Sequence, residues 1–278
     1  MTLSKHTTSS LAKNGLYYGI LLMVSFIVIF PLILILSSSF KTEAEIVRFP
    51  MTLFPTEPTT RNFQNLRANF PIYILNSFKV TLITVILQLL TASTGAYAFT
   101  KLQWRGRELI FLTYIATFMV PIHGIIIPQF MVVRTLGLYD SHAAVILVSA
   151  FTAFGTFLIK QFFMTIPDSL LEAAKLDGAS EYTIFLRIMI PLSKPVLATV
   201  IIFSFRFFWN DFFIPLIYLV SPHLKTLPLG MSDFVTQYTI LYGPQMAAAL
   251  ISIIPVMIIF FSAQRYFVEG MAATGLKG

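Results

Sequence analysis

Six long apolar runs constrain this chain more than any other feature: about 16–36, 74–100, 109–133, 143–163, 195–220 and 244–267. About 20 helical residues cross a hydrocarbon core of about 30 Å, and each run is long enough. In lipid every backbone polar group needs a partner within the protein, so segments of this kind cross as helices. Only 11% of the 278 residues are charged and 56% are hydrophobic. Soluble domains carry about 25% charged residues. The expectation is an all-α membrane protein with six transmembrane helices. A cleaved leader fits the first run poorly, because leader cores span about 7–15 residues and end at a small-residue cleavage site.

The net charge of +7 does not point to nucleic acid, which needs a basic patch on a soluble face. The basic residues sit mostly in short connections. With both ends inside, Lys5, Lys13, Lys101, Arg105, Arg107, Lys160, Lys175, Arg187, Lys194, Arg265 and Lys277 are cytoplasmic. Only Lys41, Arg48, Arg61, Arg67, Arg134 and Lys225 are then outside. That bias follows the positive-inside rule and puts both termini in the cytoplasm. The chain divides into an N-terminal arm (1–15), a membrane domain (16–267) and a C-terminal tail (268–278).

One polar stretch, 166–195, interrupts the apolar pattern on the cytoplasmic side. Ser169 and Glu172 have capping-box spacing, which predicts a helix start at Ser169. Leu170, Leu171, Ala173, Ala174 and Leu176 give that helix an apolar face. Gly178 suits a left-handed stop, and Ser180 suits the cap of a following helix. A helix this short is marginal alone and is expected to lean on the bundle. Its small residues, Ala173 and Ala174, would let a partner approach closely.

Within the spans, Ala92, Gly95 and Ala96 permit close helix packing. Pro121, Gly124 and Pro128 predict a break in the third run, with His123 beside it. The fourth and fifth runs read as continuous. The fifth carries Arg206, Trp209, Asn210 and Asp211, and charge inside a span usually faces the bundle interior or a cavity. Arg206 and Asn210 share a helix face, whereas Asp211 is expected to point elsewhere. Two readings stand for Trp209, Asn210 and Asp211: an internal network that fixes packing, or a wall of a substrate path. There is no G-x-x-x-x-G-K-[ST] run, no H-E-x-x-H motif and no cysteine. The expectation is a chain with no catalytic, cofactor-binding or metal-binding residues.

The polar stretch resembles the EAA loop of the membrane subunits of binding-protein-dependent ABC importers. That pattern is E-A-A, three residues, G, nine residues, I-x-L-P. Glu172-Ala173-Ala174, Gly178, Ile188 and Pro191 fall in register, with Ile190 in place of Leu. Asn76-Ser77-Phe78, Tyr97-Ala98-Phe99, Phe208-Trp209-Asn210-Asp211-Phe212 and the ending Gly275-Leu276-Lys277-Gly278 are similar to the maltose-permease-like branch, in its shorter six-span subunit. The resemblance implies a multi-pass protein of the bacterial plasma membrane that imports a sugar or oligosaccharide by alternating access. It also implies that Glu172, Ala173, Ala174, Asp177 and Gly178 form a coupling helix docking on a separate ATPase, which holds ATP and Mg. Lys277 and Gly278 would reach the same ATPase. Implied partners are a second permease, two ATPase subunits and an extracytoplasmic solute-binding protein. An importer of glycerol phosphate, peptide or amino acid shares parts of the pattern; a secondary transporter fits less well, because no internal repeat is evident.

Overall fold

The computed structural model describes residues 4–66, 69–235 and 240–275. Lys277 and Gly278 lie outside them. The described residues are helical, with one isolated β-bridge between Val235 and Ile240 and no strands. Helix α1 runs Ser4–Ser39, α2 Phe70–Thr100, α3 Arg107–Thr117, α4 Ile122–Thr135, α5 His142–Val148 and α6 Ala153–Thr165. A short helix α7, Asp168–Leu176, follows. Next come α8, Glu181–Leu192, and α9, Lys194–Trp209. The order ends with α10 Phe213–Tyr218, α11 Leu227–Met231 and α12 Tyr242–Gly275. Among the described residues, three helices are long and apolar enough to cross a membrane, and up to six segments are if each bent helix pair is one span.

The chain separates into two compact units. The first holds residues 1–67 and 234–253. In it, the Pro-rich stretch after α1 forms only two single-turn helices, Glu43–Ile46 and Arg61–Gln64. Polar side chains hold this loop in place of regular structure. Glu45 accepts from Thr52 Oγ1 at 2.9 Å and Thr56 N at 2.8 Å. The Thr56 amide is the main reason its carboxyl lies below the usual range. Asn62 donates to the Ser39 and Lys41 carbonyls at 2.9 and 2.7 Å. Gly243 is required beside it, because a Cβ there would sit 2.2 Å from Asn62 Oδ1.

The second unit, residues 68–233 and 254–278, is organised around α2. This helix packs most closely on α6 and next on α9. Ala92 and Ala96 have no exposed surface, which is the close approach their spacing predicts. They join Ile159, Phe163, Val196 and Val200 in one core cluster. At the other end of α2, Asn76 Nδ2 donates to the His223 and Lys225 carbonyls at 2.8 and 2.9 Å, and Ser77 Oγ accepts from Leu227 N at 2.7 Å. The Asn76-Ser77 pair thus latches the 221–233 loop to the start of the span.

Asp140 makes a second clamp. It lies between α4 and α5 in the left-handed region (φ 56°). Its carboxylate accepts from Val220 N at 2.8 Å, Ser221 N at 3.0 Å and Ser221 Oγ at 2.5 Å. Those bonds, the Ser221 hydroxyl foremost, hold the Asp140 carboxyl below the usual range.

The expected break in the third run is present, whereas two expected continuities, in the fourth and fifth runs, do not hold. The third run bends by 98° between α3 and α4, at 118–121, so Gly124 and Pro128 lie within α4 rather than at the break. The fourth run bends by 45° between α5 and α6. There Thr152 caps α6 by accepting from Gly155 N at 3.0 Å. The fifth run unwinds at 210–212 before α10. In the polar stretch, α7 starts at Asp168 with Pro167 at its N-cap and no side-chain cap bond. Ser169 is therefore inside the helix and the capping box does not form: proline one residue beyond Ile166 already fixes an extended entry.

Candidate functional site

Two features of the second unit combine exposure with specific chemistry: a cavity at the helix breaks and the α7 turn. The cavity is about 1090 Å³. All three unwound segments reach it: Phe118, Val120 and Pro121; Ser149, Phe151 and Thr152; and Asn210, Asp211 and Phe212. Unwound backbone within an apolar span is tolerated where it is buried in protein or lines a wet cavity. The convergence of three breaks on one cavity follows that rule.

Gln88, in the middle of α2, ties these segments together. Its Nε2 donates to the Ser149 carbonyl at 2.8 Å, and its Oε1 accepts from Ser204 Oγ at 2.8 Å. One turn on, Thr91 Oγ1 donates to the Ala150 carbonyl at 2.9 Å. Two carbonyls released by the α5–α6 break are thereby satisfied from α2. No local pattern in the sequence marks Gln88 or Thr91, beyond an amide inside an otherwise apolar span.

The residues expected along a substrate path divide. Asn210 and Asp211 line the cavity together with Arg206. Trp209 does not: it is 1% exposed and stacks on Phe205, with ring centroids 5.6 Å apart and planes 11° apart. Arg206 and Asn210 share a face as expected, and Asn210 Nδ2 donates to the Arg206 carbonyl at 2.8 Å. Asp211 lines the cavity but, as expected, its carboxylate points away from that face, because the helix ends at Trp209 and the chain turns there. Its Oδ1 accepts from Phe213 N and Ile214 N at 3.0 and 3.3 Å and so caps α10. His123 also lines the cavity, with its ring 4.7 Å from that of Phe213.

The second feature is α7. Leu171 is buried in the core cluster that contains Tyr97, Phe163 and Ile184, which anchors the helix. Glu172, Ala173, Lys175 and Asp177 are exposed, Ala174 is half-buried, and Leu176 is 90% exposed. Gly178 has φ 81°. Its N–H donates to the Lys175 carbonyl at 3.0 Å, and the Ala179 N–H donates to the Ala174 carbonyl at 2.9 Å. That pair of bonds is a Schellman stop, which glycine adopts without steric cost. Ser180 then caps α8, accepting from Thr183 N at 3.2 Å.

Charged contacts fix α7 to the end of α2. Lys101 Nζ donates to the Ile166 carbonyl at 2.8 Å and pairs with Asp168 at 2.6 Å. Tyr97 donates to Glu181 Oε2 at 2.5 Å, and Lys175 pairs with Glu181 Oε1 at 2.6 Å. Hydrogen bonds at both ends and a buried leucine between them tie α7 to α2. The sequence reading gave Lys101 only a topological role; a partner about 65 residues away leaves no local trace.

Among known proteins, the profile of a family described as "Binding-protein-dependent transport system inner membrane component" matches residues 90–273. The "Arabinooligosaccharides transport system permease protein AraQ" of Halalkalibacterium halodurans is 33% identical over 92% of this chain and 93% of its own length. The "Inner membrane ABC transporter permease protein YcjP" of Escherichia coli is 31% identical over 97% of this chain and 98% of its own. Among solved structures, a chain of a bacterial ABC transporter involved in the import of the acidic polysaccharide alginate superposes with a TM-score of 0.82 and 25% identity. That match covers 96% of this chain and 99% of the other.

Proposed function

The chain belongs to the family of inner-membrane components of binding-protein-dependent transport systems, and from that premise we propose that it is the six-span permease subunit of an ABC importer for a sugar or oligosaccharide. The named cargoes of its relatives, arabinooligosaccharides and alginate, support a carbohydrate. The chain resides in the bacterial plasma membrane with both termini in the cytoplasm. It pairs with a second permease and with two ATPase subunits that bind ATP and Mg, and it receives cargo from an extracytoplasmic solute-binding protein.

The observation that carries the reading is α7: a nine-residue helix anchored by one leucine, stopped by Gly178, and otherwise presenting Glu172, Ala173, Leu176 and Asp177 outward. Leu176 is an apolar side chain at a polar turn, and a partner cleft accounts for it. Glu172 offers a carboxylate to a cationic group of the ATPase, a charge-assisted bond. Ala173 and Ala174 keep the contact close. When the ATPase subunits close on ATP, the α7–α2 piece moves as one body, and the helices around the broken-helix cavity switch the side on which it opens. Lys277 and Gly278 add a second contact to the ATPase.

The test is uptake by the reconstituted complex. Glu172→Lys should abolish ATP-driven uptake and the stimulation of ATP hydrolysis by loaded binding protein, while membrane insertion stays intact. Unchanged uptake in that variant would remove the docking role.

A further inference from the structure

We propose that the cavity selects saccharides that carry a carboxylate, with Arg206 as the residue that binds it; this rests on the carbohydrate-importer reading above. Arg206 lines the cavity and is exposed. Among the described residues its guanidinium forms no ion pair, and no carboxylate comes within 4.0 Å. A cation within a span is costly and is retained where it faces a partner or a ligand path.

Most other polar groups of the cavity already hold a bond, and the His123 ring rests against Phe213 at 4.7 Å. Gln88 is bonded at both amide ends, to Ser149 and Ser204. Asn210 gives its amide to the Arg206 carbonyl. The carboxylate of Asp211 faces the α10 amides through Oδ1, and its Oδ2 is buried. Arg206 is thus the strongest donor left to a ligand. Its planar fork matches a carboxylate in bidentate fashion. Around it Phe207, Phe208 and Phe212 supply apolar walls against which a sugar ring packs.

The experiment uses the full permease–ATPase complex in nanodiscs, without the solute-binding protein. Trigalacturonate and galactotriose, which differ at the C6 carboxylate, are titrated in turn. The expected result is binding of trigalacturonate about tenfold tighter than galactotriose, the low end for a hydrogen bond to a charged group. Arg206→Gln should erase that ratio by weakening trigalacturonate alone, and Arg206→Lys should keep part of it. Should the glutamine variant fail to assemble, the lysine variant carries the test through a several-fold drop in the ratio. Equal binding by the wild-type complex, or a preference that survives in the assembled variant, overturns the selectivity while sparing the transport reading. If neither saccharide binds the wild-type complex, the selectivity assigned to Arg206 falls, while the carbohydrate reading is decided separately by uptake with loaded binding protein.

Discussion

Replacing Gln88 by leucine keeps nearly the same volume but removes two hydrogen bonds from the centre of the second unit. The two losses differ in kind. Ser204 can return its hydroxyl to a carbonyl of its own preceding turn, at little cost. The Ser149 carbonyl has no such partner in its own helix: it lies half-buried in the break between α5 and α6, at the cavity wall, and takes its bond from Gln88 Nε2 at 2.8 Å, so water can recover part of the loss. Leaving a buried acceptor unpaired costs about 1–3 kcal/mol. Couplings inside membrane bundles average lower, near 0.6 with a maximum of about 1.7 kcal/mol. We therefore expect Gln88→Leu to destabilise the protein by about 1–2 kcal/mol. Reversible unfolding in mixed micelles measures this. The double variant with Ser204→Ala should lose less than the sum of the singles, because the second change removes a bond already broken. A loss under about 0.5 kcal/mol with strict additivity would refute the assignment of Gln88 as the tie between the breaks.

Asp140→Asn should lower thermal stability and flatten its acid dependence. The native carboxyl lies below its ordinary value, so its contribution is full above about pH 4 and is lost as pH falls through the lowered folded-state value; asparagine tolerates φ 56° but cannot titrate. Lys101→Met should leave expression intact yet reduce the coupling of ATP hydrolysis to uptake, because the end of α2 loses its bonds to Ile166 and to Asp168 of α7; the ratio of ATP consumed to cargo imported is the readout, and an unchanged ratio counts against a rigid α7–α2 piece. Gly155→Leu should prevent assembly, since even a Cβ at Gly155 would lie 2.6 Å from Thr152 Cγ2; normal yield of the folded complex would contradict that close approach.

What the sequence made legible was local or periodic. The apolar runs announce membrane spans because their length is itself the physical requirement. The end of α7 was readable because a Schellman stop is built from adjacent residues, with Gly178 supplying the left-handed position and Ser180 the next cap. Ala92 and Ala96 were readable by spacing along one helix. The breaks at 149–152 and 210–212 were not. Val145 to Phe163 is apolar enough to pass as one helix, and the groups that make its interruption tolerable, Gln88 and Thr91, come from about sixty residues earlier. The orientation of Trp209 was hidden for the same reason: once α9 ends there, the following Asp211 reaches the cavity and the indole turns into the core. Lys101 and Tyr97 likewise acquire meaning only when Asp168 and Glu181 are brought to them. The start of α7 was misread because Pro167 and Ser169 both carry plausible entry signals and the proline governs.

The most direct measurement uses the absence of cysteine from the chain. A single cysteine placed at Leu176, which is 90% exposed on α7, is treated with a membrane-impermeant maleimide in intact cells and in inside-out vesicles, with and without the ATPase subunits. The account predicts no labelling from outside, rapid labelling in vesicles stripped of ATPase, and protection when the ATPase is restored. Labelling of intact cells, or labelling in vesicles that is indifferent to the ATPase, would contradict it.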